Sequence, residues 1–145
     1  MKTLARLLVS SLLLCAAVPS VAIAQKVDTA TAGGFITGTP SGARANFGLN
    51  ASDPAAPSGH LNYVDHGIRM HVSSTSITTY TVVNATTRTF TGTCTIDGVA
   101  GFTFTCTVSD LGKPGTGDTF SLSLSNGYSS SGTLVGGNVQ VHAVP

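Results

Sequence analysis

TFTGTCTIDGVAGFTFTCTV, residues 89–108, decides how the chain folds. Two runs of strict alternation flank a short segment rich in glycine. Phe90, Cys94 and Ile96 share one face of the first run, and Phe104, Cys106 and Val108 share one face of the second. Threonine fills most of the other positions. A period of two is the signature of a half-buried strand, and β-branched threonine suits a pleated surface better than a helix. DGVAG between the runs marks a hairpin. A three-residue loop Val99-Ala100-Gly101, with glycine at its left-handed last position, pairs Ile96 with Phe104. That register sets Cys94 opposite Cys106, and in an exported protein such a pair is expected to form a disulfide.

The same pattern extends in both directions. Apolar alternation recurs at 35–37, 43–51, 60–65, 68–72, 76–83, 88–96, 102–108, 119–125 and 132–144. These nine candidate strands are separated by short turn-forming segments, and no window has a helical period. Links this short exclude crossover helices, so neighbours in sequence should pair in an antiparallel meander. The fold class is all-β. A β-sandwich is the expected form, because the proline-containing segment 52–59 could carry the chain between two sheets. A flattened up-and-down β-barrel is the alternative.

Residues 1–24 read as a signal peptide. Lys2 and Arg6 precede the apolar run Leu7–Ala17, and Ala22-Ile23-Ala24 places small residues where a signal peptidase reads. Cleavage before Gln25 makes the protein secreted, extracellular or periplasmic. Residues 25–32 read as a flexible lead-in and 33–145 as a single β-domain. Removing Lys2 and Arg6 from seven basic residues leaves five against six aspartates, a net charge of −1. Such a chain has no basic surface for nucleic acid and no polybasic patch for an anionic membrane. No apolar stretch after residue 24 is long enough to insert into a bilayer. A cell-surface or extracellular ligand is the partner class left open.

Two clusters could carry chemistry. GHLNYVDHG, residues 59–67, with His71 beyond it, holds His60, Asp65, His66 and His71. Imidazole and carboxylate are donors for Zn²⁺ or Cu²⁺. An even-numbered loop, either 64–67 or 66–67, keeps the apolar positions of the two strands facing each other and puts His60 and His71 together on the polar face. The first register sets the two opposite each other. The plainer reading is a solvated strand face and an Asp-His-Gly turn, and it is the expected one. The second cluster is DLGKPGTGDTF, residues 110–120, where Asp110 and Asp118 flank a glycine-rich loop. Carboxylates with bare carbonyls suit Ca²⁺, although the spacing departs from an EF-hand, and a turn capped by aspartate is the plainer reading. No catalytic residue is assigned, since nucleophile-elbow, HExxH and phosphate-loop patterns are absent.

The ordered blocks GGFITG (33–38), RANFGLNA (44–51), GHLNYVDH (59–66), STSIT (74–78), FTGT (90–93), GKPGTGDTFSLSLSNGYSSSGTL (112–134) and GGNVQVH (136–142) resemble a family of secreted bacterial β-domains, the post-choice-of-anchor domain. The resemblance covers nearly all of the chain after the signal. It implies an exported β-domain and supplies no catalytic residue. The expected function is therefore a non-catalytic binding or structural module. A metal-binding protein or metal-dependent enzyme using the His60/His71 region, with His142 as a candidate further donor, is one alternative. A small-molecule binder with a cavity inside a barrel is another.

Overall fold

The computed structural model describes Pro19, residues 23–113 and residues 115–145. Most of the signal-peptide reading, Lys2 to Ala22, therefore lies outside the described residues. Nine strands follow in order: β1 (Thr29–Ile36), β2 (Ala45–Ser52), β3 (Ser58–Asp65), β4 (Met70–Val82), β5 (Thr87–Ile96), β6 (Val99–Ser109), β7 (Thr119–Leu124), β8 (Ser129–Thr133) and β9 (Gly136–His142). All pairings are antiparallel, and the spatial order is β8-β7-β6-β5-β4-β3-β2-β1-β9. The all-β antiparallel meander is as the alternation implied.

One continuous sheet makes the two layers. β8 and β9 lie at opposite ends of the sheet, yet only Leu134 and Val135 separate them in sequence. The sheet must curl until its ends meet. Phe47 on β2 then stacks on Phe120 of β7 with ring centroids 4.0 Å apart, and Tyr63 on β3 stacks on the same ring at 5.8 Å. These contacts join strands far apart in the sheet, so its two halves face each other across the core. The segment expected to cross between sheets instead closes a hairpin, with Ser52 opposite Ser58.

Strand boundaries differ from the sequence pattern in three places, each for a visible reason. β1 begins at Thr29, so part of the expected lead-in is a strand, paired between β2 and β9. Its inward residues there are small alanines, which leave little hydrophobic trace. Runs 68–72 and 76–83 belong to the single strand β4, whose register slips between Ser74 and Ser76 and again between Ile77 and Thr79. Bulges insert residues and break the period of two, so the inward positions read Val72, Ile77, Tyr80. Run 132–144 divides into β8 and β9, because the chain there passes from one end of the sheet to the other.

The β5–β6 hairpin also turns differently. Asp97 and Gly98 both have positive φ, 51° and 80°, forming a two-residue turn that pairs Ile96 with Val99. This geometry matches strand twist, and aspartate tolerates the left-handed position. Gly101, at φ 100°, falls where the register shifts rather than in the turn. Cys94 consequently faces Phe102, and Cys106 faces Phe90. The two cysteines are offset by four strand positions, about 13 Å along the strands. A disulfide needs Cα atoms within roughly 7 Å. The expected bridge between Cys94 and Cys106 is thus replaced by two free, buried thiols.

The seam where the curled sheet meets itself is closed without a strand ladder. Ser131 donates its backbone N–H to the Gly38 carbonyl at 2.9 Å, and Val135 donates to Phe35 at 3.0 Å. A Cβ on Gly38 would collide with the Ser131 carbonyl, so glycine permits this approach. Along β9, the outward N–H of Val139 meets Asp118 Oδ2 at 2.7 Å and that of Val141 meets Asp110 Oδ2 at 3.1 Å. Both free edges are thereby occupied, which blunts pairing with other chains.

Candidate functional site

The histidine cluster divides between the two sides of the sheet. The β3–β4 loop holds four residues, 66–69, so Asp65 pairs with Met70 and His71 pairs with Val64. Its even length keeps Tyr63 opposite Val72, both fully buried. His60 and His71 do lie on the exposed outer face, but four positions apart, about 13 Å. His60 sits opposite Asn50, and His66 Nε2 lies 3.1 Å from Asn46 Oδ1. Asp65 points the other way and is completely buried. Among the described residues, no three His, Cys, Asp or Glu side chains come together as a metal-ion site.

Asp65 belongs to an interior hydrogen-bond network. The Tyr128 hydroxyl donates to Asp65 Oδ2 at 2.7 Å, and the Gly67 N–H donates to Oδ1 at 2.8 Å. Tyr63 Oη lies 2.7 Å from Tyr128 Oη and 2.8 Å from Ser130 Oγ. The network ties β3 to the β7–β8 turn and β8 across the core. Burial, reinforced by hydrogen bonding to Tyr63 and Asp65, pushes the Tyr128 hydroxyl far above its ordinary range. Burial likewise raises Tyr63.

The second aspartate pair is also engaged. Asp118 is fully buried; its Oδ1 accepts from the N–H groups of Leu111 (2.9 Å) and Gly112 (3.2 Å), and its Oδ2 accepts from Val139. One carboxylate thus folds the 110–118 loop and holds β9. Asp110 contributes the neighbouring contact to Val141. These are backbone-bracing roles that use oxygens a Ca²⁺ ion would need. A cleft of about 230 Å³ remains beside the seam, bordered by Asp110, Lys113, Asn138, Gln140 and His142.

A third cluster carried little signal in the sequence. Arg88 is fully buried and grips Asp28 with two bonds, Nε to Oδ1 at 2.7 Å and Nη2 to Oδ2 at 2.8 Å. Tyr80 donates to the same Oδ1 at 2.6 Å, and Arg88 Nη1 donates to the carbonyls of Asn84 and Thr87. Arg88 holds the Asp28 carboxyl below the usual carboxylate range. Burial and then the Asp28 carboxylate push Tyr80 up. The clue was parity: Arg88 occupies the same alternating set as Phe90, Cys94 and Ile96, a charge in an apolar register. Its partner lies sixty residues away in the segment read as a lead-in.

The outer face of β5–β8 is chemically uniform. Thr91 on β5 faces Thr105, which faces Ser123, which faces Ser129. The row from Thr89 continues through Thr107 and Ser121 to Ser131, and the row from Thr87 through Ser109 and Thr119 to Thr133. Three rows crossing four strands carry a hydroxyl at all twelve positions, of which Ser109 is buried. Lateral contacts fix several of them: Thr87 Oγ1 lies 2.9 Å from Ser109 Oγ, and Thr89 Oγ1 lies 2.8 Å from Thr107 Oγ1. Compared with known proteins, the chain matches no family model, no curated protein and no solved structure.

Proposed function

We propose that this chain is an exported, non-catalytic β-domain that serves as a binding or structural module. The observation that carries the reading is where its reactive groups are spent. The buried carboxylates of Asp28, Asp65 and Asp118 all brace backbone or side chains, and no buried side-chain polar atom among the described residues lacks a partner. A general acid or base needs a lone pair or proton free to meet a substrate. What the domain presents outward on β5–β8 is a neutral hydroxyl surface. The resemblance of the block order to post-choice-of-anchor domains supports an exported module, as does the exposed Ala24–Gln25 junction upstream of β1.

A second reading, a small-molecule binder, draws on the seam cleft rather than on the interior, which Phe47, Tyr63 and Phe120 fill. The test of the principal reading uses untagged protein recovered from outside the cytoplasm. Its first residue should be Gln25, and it should hold no stoichiometric zinc, copper or calcium after dialysis. Metal retained one-to-one, and lost in His60→Ala, His71→Ala or Asp118→Asn, would overturn the non-catalytic reading in favour of a metal protein.

A further inference from the structure

We propose that Gln25, once export makes it the first residue, closes on itself to a pyroglutamyl lactam, so that the mature domain carries no α-amine; this rests on the export reading above. Three observations meet at this residue. Ala22-Ile23-Ala24 places the cleavage immediately before it. Its side chain is glutamine, whose amide carbon is the one a terminal amine reaches in a five-membered ring. The fold leaves it unheld: Gln25 is exposed and in no strand, and among the described residues no hydrogen bond reaches it.

The chain is fixed only from Asp28 onward. The Asp28 carbonyl accepts from the Asp53 N–H at 3.0 Å, and its carboxylate is held by Arg88 and Tyr80. Lys26 and Val27 run beside a shallow cleft bordered by Asp53, Pro54 and Val144. Residue 25 therefore ends an exposed tether of three residues, about 10 Å when extended, with its amine and its amide both in water.

The step needs no second reactant. The unprotonated α-nitrogen attacks Cδ of its own side chain; the N–Cδ bond forms and the Cδ–Nε2 bond breaks. Nε2 leaves as ammonia, taking the proton that the α-nitrogen gives up, and nothing is oxidised or reduced. An α-amine has a pKa of about 7.7–8.0, so an unprotonated share is present at neutral pH. Carrying amine and amide on one residue makes the attack intramolecular, which raises the effective concentration of the nucleophile. The consequence reaches the fold. An aminopeptidase starts at a free α-amine, and only Gln25, Lys26 and Val27 stand between that end and Asp28, the partner of buried Arg88. The lactam closes that entry.

The test holds untagged exported protein at neutral pH until its intact mass is constant. That mass should be one ammonia below the mass of Gln25–Pro145. Stepwise degradation from the N-terminus should release nothing until pyroglutamyl peptidase has removed the first residue, and should then read Lys26, Val27, Asp28. Gln25→Asn keeps an amide but could close only a strained four-membered ring. It should show its full mass and be shortened by an aminopeptidase that leaves the parent whole. A parent with an open Gln25 at its start would overturn the lactam and leave the export reading standing. An ammonia loss that persists in Gln25→Asn would put the reaction elsewhere, as at Asn126-Gly127, and would also overturn it. Exported protein beginning at any other residue, intact Met1 included, would overturn the lactam together with the cleavage on which it rests.

Discussion

Replacing Arg88 with methionine should be among the most damaging single changes in this protein. The arginine is fully buried, and methionine fills much of its apolar stem, so little of the loss comes from a cavity. What is lost is the two-bond grip on Asp28, at 2.7 and 2.8 Å, and the donors to the Asn84 and Thr87 carbonyls. Of its side-chain partners, Asp28 would keep the Tyr80 hydroxyl. Removing one partner of a buried pair costs about 3–5 kcal/mol, because the other charge stays desolvated. The Asp28 side chain is 9% exposed, which lets some water in and places the cost near the low end, about 3 kcal/mol. For a domain of this size that lowers Tm by roughly 10–15 °C.

The pH dependence follows from the same contact. Asp28 titrates lower in the folded protein than in the unfolded chain, where an aspartate has a pKa of about 3.9. Its stabilising contribution is complete above that value and is lost as pH falls through the lower, folded pKa. The gap between parent and Arg88→Met should be widest near neutrality and should close below about pH 4. Urea unfolding at pH 7 and at pH 3 measures it. With three tyrosines and no tryptophan, tyrosine emission reports directly on the buried networks. A loss under about 1 kcal/mol at pH 7 would refute the reasoning, as would a gap unchanged at pH 3.

Cys94 and Cys106 should resist a thiol reagent in the folded protein and both react once it is unfolded, since burial raises both thiols and masks them; an intact mass two hydrogens short would show a disulfide instead. Tyr128→Phe leaves the buried Asp65 carboxylate without its hydroxyl donor and should cost about 1.5–3 kcal/mol in the same unfolding assay, with a neutral result arguing that water replaces the hydroxyl. Asp118→Asn replaces one carboxylate oxygen with an NH₂ group, so the side chain can accept either from Leu111 and Gly112 or from Val139 but not from both sides. It should release the β9 edge and promote self-association, which sedimentation would detect; a monomer of parental stability would show that the seam does not depend on this contact.

Much of the fold was legible because period-two alternation is a local property. In β5, β6 and β7 the inward and outward sets can be assigned residue by residue, and the short links between them require antiparallel neighbours. The outward placement of His60 and His71 was legible for the same reason. Alternation fixes which face a side chain occupies but not which residue stands opposite. Register depends on turn geometry, and the choice between an Asp97-Gly98 turn and a Val99-Ala100-Gly101 loop moved Cys106 four positions from Cys94. The same uncertainty separated His71 from His60, whereas Asp65 shares the inward parity of Leu61 and Tyr63 and only its partner Tyr128 lay beyond the local pattern. Closure lay further out of reach. Nothing local in Leu134-Val135 says that the chain there passes between opposite ends of one sheet, or that Asp28 will meet Arg88 sixty residues away. Those outcomes follow from curling the whole sheet until its apolar face is covered and every buried charge has a partner, a condition that only the complete set of strands can satisfy.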